Sequence, residues 1–347
     1  MLINLHTHLE GRVRPATAAE IAGRSGIPEP AQGWEEAIRL DGPADLTVYL
    51  AKVSSTYPFF STGDALSRIT REAVEDAAED GQDYLELRFG PATHTHDGFG
   101  LDDVIAAVLD GLNDGIRATG MPAGLVVAAL RLHGRELNED VARAAAKRAG
   151  DGVVGFDLAG DELLYPDVAP YADAFAIAHA ARLGATCHAA EAGPGRLAVD
   201  AARLLGATRI GHGTHIADDP TVMQWAADHG LVIEICPTSN WYTGATTAID
   251  QHPAPRFLAA DIPLVLGDDN PMQTRSSLSA EAALLTRTLG FDAAARAELD
   301  AVSLRAAFMD DSVRSRLNAR LSSGQPRLGP LTAMNVPETG ISREKRR

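Results

Sequence analysis

The segment ATCHAAEAGPGRLAVDAARLLGATRIGHGTHIADDPTVMQWAADHGLVIEIC, residues 185–236, decides the architecture. It holds three short apolar runs, Ala185–His188, Arg209–Gly211 and Leu231–Cys236, separated by the amphipathic stretches Ala198–Leu205 and Pro220–His229. Strands alternating with helices predict a parallel sheet, because each parallel neighbour requires a crossover long enough to hold a helix. Outward from this segment lie five more runs: Leu2–Leu5, Asp83–Arg88, Ala123–Leu130, Val153–Leu158 and Pro263–Leu266. Further helical stretches are Leu101–Thr119, Glu139–Ala149 and Pro170–Leu183. Eight such units predict an α/β fold, the closed (β/α)8 TIM barrel. A doubly wound open sheet fits less well, since no Gly-rich phosphate turn follows the first run.

The chain has 347 residues, a length that such barrels reach as one domain. Residues 1–320 are expected to form that barrel, and residues 321–347, rich in Ser, Gly, Pro and charge, a flexible tail. About eighty residues separate the first two runs, far more than one crossover needs. Extra helices are expected there at Thr17–Ser25, Trp34–Leu40 and Asp64–Asp80, beside the aromatic stretch Tyr57-Pro58-Phe59-Phe60. An insertion after strand one sits over the face where barrel sites are built, so residues 12–80 are expected to include a substrate lid.

Composition narrows the function classes. The net charge of −16 disfavours nucleic acid and anionic membrane surfaces, both of which need a basic protein face. The apolar opening Leu2–Leu5 is too short for a signal peptide core or a membrane span, which makes the cytoplasm the expected location. Cys187 and Cys236 lie within apolar runs and read as buried thiols rather than a disulfide. A homo-oligomer is compatible with all of this.

The chemistry sits at the ends of the runs. His6-Thr7-His8 follows the first, and residues two apart on an extended segment point the same way, so both imidazoles can reach one metal. His94-Thr95-His96 has identical spacing but lies between Gly90-Pro91 and Asp97-Gly98, and reads as a loop. Company separates the two pairs: His188 with Glu191, Gly211-His212-Gly213, and Gly267-Asp268-Asp269-Asn270-Pro271 all stand at later run ends. A barrel gathers these ends on one face, where three imidazoles and a carboxylate suit zinc.

The motifs His6-Thr7-His8-Leu9-Glu10-Gly11, Asp157-Leu158-Ala159-Gly160-Asp161-Glu162 and His188-Ala189-Ala190-Glu191 resemble those of the adenosine deaminase family of amidohydrolases. So do Arg209-Ile210-Gly211-His212-Gly213, Glu234-Ile235-Cys236-Pro237-Thr238-Ser239-Asn240 and Asp268-Asp269-Asn270-Pro271, and all six follow the family's order. The resemblance implies one Zn2+ per chain, held by His6, His8, His188 and Asp269. It implies water activated to a pKa of about 7 and attack at the purine C6 carbon. Glu191 would protonate ring N1, and His212, with Asp269, would orient the attacking hydroxide. Gly160 would bring its N–H close to ring N3, and His8 would lie against the substrate. The expected reaction is hydrolytic deamination of an adenine nucleoside to the 6-oxo purine and ammonia. Related barrels with two metals carry a Lys on strand four, and Val153–Gly160 has none.

Two departures bear on substrate. Where the family has a second Asp after its metal ligand, this chain has Asn270, whose amide could donate to purine N7. In the alternative register, Asp268 is the ligand and Asp269 the N7 partner. Where adenosine-specific members have Asp near the ribose 5′-hydroxyl, this chain has Glu10, which could instead cap the helix near Pro15. Adenosine, a 5′-modified adenosine and free adenine all remain open. AMP fits less well for want of a basic cluster. Another amidohydrolase-type C–N hydrolase is the remaining alternative.

Overall fold

Each of the eight apolar runs becomes a strand in the computed structural model, which describes residues 1–323. They are β1 (Ile3–His8), β2 (Tyr84–Phe89), β3 (Ala123–Leu130), β4 (Val153–Ala159), β5 (Gly184–Ala189), β6 (Arg209–His212), β7 (Val232–Ile235) and β8 (Leu264–Leu266). They pair in chain order, every pair parallel. The first and last strands meet just past β8, where Thr7 bridges Asp269. There His8 N–H donates to Asp269 O at 2.8 Å and Asp269 N–H to His6 O at 3.0 Å. The sheet is thus a nearly closed (β/α)8 barrel.

Four helices fill the long β1–β2 interval: α1 (Pro15–Ser25), α2 (Gly33–Ile38), α3 (Leu46–Ser54) and α4 (Gly63–Glu79). The remaining connections carry α5 (Leu101–Thr119), α6 (Arg135–Ala146), α7 (Ala172–Ala180), α8 (Arg196–Leu205), α9 (Pro220–Asp228), α10 (Pro237–Tyr242) and α11 (Ala254–Ala259). After β8 come α12 (Pro271–Thr274), α13 (Leu278–Arg287), α14 (Ala293–Ala306) and α15 (Asp311–Ser323). Side chains satisfy the free amides at several starts. Thr62 accepts from Ala65 N–H, Ser277 from Ala280 N–H and Asp292 from Ala295 N–H.

Several boundaries differ from expectation. β1 runs three residues past Leu5, because its outer half pairs with β2 after a register shift between Asn4 and Thr7. α6 begins four residues before Glu139, and a separate 3-10 turn at Ala169–Tyr171 precedes α7. α3 was not among the expected helices. α15 continues to Ser323, while the rest of the expected tail lies outside the described residues. In the aromatic stretch, Phe59 and Phe60 are buried in the main core beneath the insertion, and Tyr57 faces the pocket.

The barrel interior is polar at mid-height. Glu234 on β7 accepts from Arg88 Nη2 at 2.9 Å, Arg209 Nε at 2.7 Å and Thr186 Oγ1 at 2.9 Å, all buried. Arg88 also donates to Asp157 at 3.0 Å. Buried ions survive only when paired, and these pairs interlock across β2, β4, β5, β6 and β7. They form a charged floor directly under the outer strand ends. No helix among the described residues is long and apolar enough to cross a membrane.

Candidate active site

The strand ends above that floor converge as the barrel requires. His6 and His8 stand on β1, His188 on β5, His212 closes β6, and Asp269 follows β8. His6 Nδ1 lies 2.7 Å from Glu234 Oε2, and His188 Nδ1 3.0 Å from Asp157 Oδ2. A carboxylate on one ring nitrogen orients the ring and frees the other nitrogen for a ligand. His6 Nε2 is buried with no hydrogen-bond partner, 3.6 Å from Asp269 Oδ1. His8 Nε2 is 3.4 Å from the same oxygen and 3.1 Å from His188 Nε2.

Two overlapping groups have ligand atoms within 4.8 Å of one another: His6, His8 and Asp269, and His6, His188 and His212. Electrostatics favour a cation at their centre. Burial drives the His8 imidazole down to about 3, against the pull of Asp269, so it stays neutral and able to ligate. Burial would raise the Asp269 carboxyl, but the surrounding His6, His8 and His212 rings hold it well below its usual range, and it is ionised. An orphaned buried nitrogen on His6, a neutral His8 ring and one carboxylate fit a divalent metal with nitrogen preference, as zinc has.

Asp268, the alternative ligand, points elsewhere. It accepts from Arg12 Nη2 at 2.6 Å and from Asn4 Nδ2 at 2.9 Å. Asp269 instead has its second oxygen held by Tyr49 OH at 2.9 Å and by Ser239 Oγ. Asn270 Nδ2 donates to Asp269 Oδ1 at 2.8 Å and to Tyr49 OH at 3.1 Å. Both its N–H bonds are therefore used on protein groups, and Asn270, which also lines the pocket, braces Asp269. Tyr49 and Ser239 lie outside the residues singled out from sequence for the site, and Tyr49 belongs to the unexpected α3.

Glu191 follows β5, with Oε2 3.7 Å from His212 Nε2. Burial, reinforced by Asp269 and Glu162, raises its carboxyl well above the usual value, which favours the protonated form. Glu162 explains the acidic end of its motif. Its carboxylate accepts from the N–H groups of Ala190 at 2.8 Å, Ala192 at 2.6 Å and Gly193 at 2.8 Å, clamping the backbone around Glu191. Ala190, His212 and Asp269 all adopt left-handed φ values of 56°, 67° and 55°. Such strain in non-glycine residues persists only where surrounding contacts over-determine it.

One pocket opens over these groups. Its inner wall comprises His8, Glu10, Tyr49, Gly160, His188, Glu191, His212, Asp269 and Asn270. Gly160 has φ +111°, which only glycine adopts freely, whereas an added Cβ would meet nothing closer than Arg131 at 3.5 Å. The backbone turn, not crowding within the protein, demands glycine there. Glu10 does not cap α1. It is buried in a 3-10 turn, where Oε1 accepts from Gly90 N–H at 3.0 Å and faces His94 Nε2 at 3.2 Å. His94 thus supports Glu10 and stays outside both metal-competent groups, and His96 lies exposed. Glu10 Oε2 has no partner. Although burial would raise this carboxyl, His94 lowers it, leaving an anion at the pocket wall. The outer wall is mostly apolar, with Leu46 and Leu50 of α3, Leu132, Leu164 and Tyr165 beside Thr47 and Asp161, and among the described residues no Lys or Arg lines the pocket.

The adenosine deaminase family model matches residues 2–323. An adenosine deaminase of Shewanella denitrificans is 36% identical over 326 residues, covering 92% of this chain and 97% of that protein. Among solved structures, an amidohydrolase from Burkholderia ambifaria with bound Zn superposes with TM-score 0.85 at 25% identity, covering 93% of this chain and 90% of that one. The N6-methyl-AMP deaminase of Arabidopsis thaliana superposes with TM-score 0.82 at 27% identity, covering 94% and 97%.

Proposed function

The chain belongs to the adenosine deaminase family and is a deaminase hydrolase, and from that premise we propose that it removes the 6-amino group of an unphosphorylated adenine nucleoside using one zinc ion. His6, His8, His188 and Asp269 would hold the ion. When bound, zinc lowers the pKa of a coordinated water to about 7 and so supplies a nucleophile at neutral pH.

The protein's own groups supply the rest. Glu191 lines the pocket with its carboxyl shifted towards the protonated form, so it can give a proton to the purine ring as C6 is attacked. That transfer neutralises the charge that addition drives into the ring. His212, beside Glu191, orients the incoming oxygen. Asp269 is ionised and its charge raises the Glu191 carboxyl, and two carboxyls driven apart in acidity can serve as acid and base in one cycle. Water replaces the amino group, which leaves as ammonia.

The observation that carries this reading is Glu191 at the rim of the histidine–aspartate cluster in one pocket. Substrate class follows from the wall. An ionised Glu10 with an unpartnered oxygen suits a donor such as a hydroxyl, and the absence of a lining cation among the described residues disfavours phosphate. The name of the Arabidopsis relative specifies a phosphorylated substrate; here the apolar outer wall favours an uncharged substituent, as in adenosine or a 5′-modified adenosine, over AMP. We extend the proposal to a cytoplasmic enzyme acting on a free small molecule.

Purified protein should contain about one zinc per chain and shift the ultraviolet spectrum of adenosine, or of a 5′-deoxy-5′-substituted adenosine, to that of the 6-oxo purine. Glu191→Gln should retain the metal and lose at least about 100-fold in kcat. Full activity in that variant would remove Glu191 from the mechanism, and preference for AMP would overturn the substrate class.

A further inference from the structure

We propose that Ala254, His252 and Asn240 form a hydrogen-bond relay that fixes His212 as the tautomer protonated at Nε2, making it a donor towards the substrate rather than a metal ligand or a base. The inference rests on the reading above for the role of His212, but not for the tautomer itself.

The relay starts at a group with no choice. The backbone N–H of Ala254 can only donate, and it lies 3.1 Å from His252 Nδ1, which must present a lone pair. His252 is buried, and burial alone lowers its pKa to about 3, so the ring is neutral and carries its one proton on Nε2. That N–H meets Asn240 Oδ1 at 3.1 Å, which also settles the orientation of the Asn240 amide. Asn240 Nδ2 then faces His212 Nδ1 at 3.0 Å as a donor. His212 Nδ1 must accept, its proton lies on Nε2, and Nε2 is the atom 3.7 Å from Glu191.

Reversing any single link sets two donors or two lone pairs face to face in a buried chain, where the loss is not recovered from solvent. His252, Asn240 and His212 are all nearly or fully buried. The consequence discriminates between the two overlapping metal-competent groups. A nitrogen that carries a proton cannot ligate, so His212 leaves the metal to His6, His8, His188 and Asp269. It directs a fixed N–H at the oxygen that adds to C6. Asn240 and His252 are positioning residues, since neither lines the pocket.

The test is a long-range proton–nitrogen NMR spectrum of the histidine-labelled, zinc-loaded protein, with His212 assigned from the His212→Gln spectrum. The expected result is His212 and His252 both protonated at Nε2. Asn240→Asp keeps the shape but can only accept from both neighbours, so His212 should move its proton to Nδ1. Its kcat should fall about 10–100-fold, with KM little changed. His252→Leu removes the donor that orients Asn240 and should give a mixture of His212 tautomers with a smaller loss of kcat. Wild-type protein with His212 protonated at Nδ1 would overturn the proposal. So would a folded Asn240→Asp with unaltered His212 signals and full kcat. If Asn240→Asp fails to fold, the wild-type and His252→Leu spectra decide. Absence of deaminase activity in the wild type would instead sink the functional reading and leave the tautomer result standing.

Discussion

His6 and His188 are each held from behind by a carboxylate that no solvent reaches, Glu234 and Asp157. These acids fix which ring nitrogen faces the site, and a group that orients a ligand sets affinity as surely as the ligand does. Asp157→Asn should therefore weaken zinc binding about 10–100-fold, read by competition against a chelator. Unchanged affinity would show that the ring is oriented by packing alone. Both acids stood in the sequence only as members of quoted motifs, although a carboxylate inside an apolar strand must have a partner. Their partners were not legible, since they come from other strands. Asn270 illustrates the opposite limit. Its amide could have served a ligand or a neighbour, and only the positions of Tyr49 and Asp269 assign it to the neighbour. Glu281 on α13 offers a pH handle away from the site. It is buried, accepting from Thr238 N–H, and burial raises its carboxyl to about 7. A folded-state value above the unfolded one near 4.3 means the native state holds the proton more tightly, so this residue's contribution is lost as pH rises from about 4.3 to about 7. Thermal melts of Glu281→Gln should accordingly improve relative to wild type across that interval, and a constant difference would refute the shift.

At the scale of elements, strands were read more faithfully than the helices over the site. The eight apolar runs announced themselves because strands buried on both faces are near-continuously hydrophobic. α3 did not, although it supplies Leu46, Tyr49 and Leu50 to the pocket. Its sequence, Leu46-Thr47-Val48-Tyr49-Leu50, mixes β-branched and aromatic residues that favour strands as readily as helices. What makes it a helix is its start, where Asp45 accepts from Val48 N–H, and its packing across the barrel mouth. The seam between β1 and β8 is the element on which the site depends most. A Cβ on Gly267 would lie 2.4 Å from both Cβ and O of His6, so Gly267→Ala must push β1 outward. The expected cost is about 1–3 kcal/mol of stability, measured by denaturant unfolding, together with reduced zinc content. Full metal loading at unchanged stability would show that the seam tolerates the shift.

The whole molecule carries a net charge of −16, and its pocket has an ionised Glu10 and, among the described residues, no lining cation. Long-range repulsion should slow the approach of anionic ligands more than neutral ones. The ratio of kcat/KM for AMP to that for adenosine should therefore rise with ionic strength, since salt screens only the charged encounter. A ratio independent of salt would place the discrimination wholly in the pocket wall. The seam has a further consequence, for biosynthesis. The residues that would grip the ion come from both ends of the strand order, residue 6 on the first strand and residue 269 just beyond the last. A nascent chain halted after β7 has already made every histidine of the cluster, yet it lacks both the closing strand and the carboxylate. Competence to hold a metal at this cluster would thus arise only once translation has passed the final strand, so the ion would report that the barrel has its closing strand.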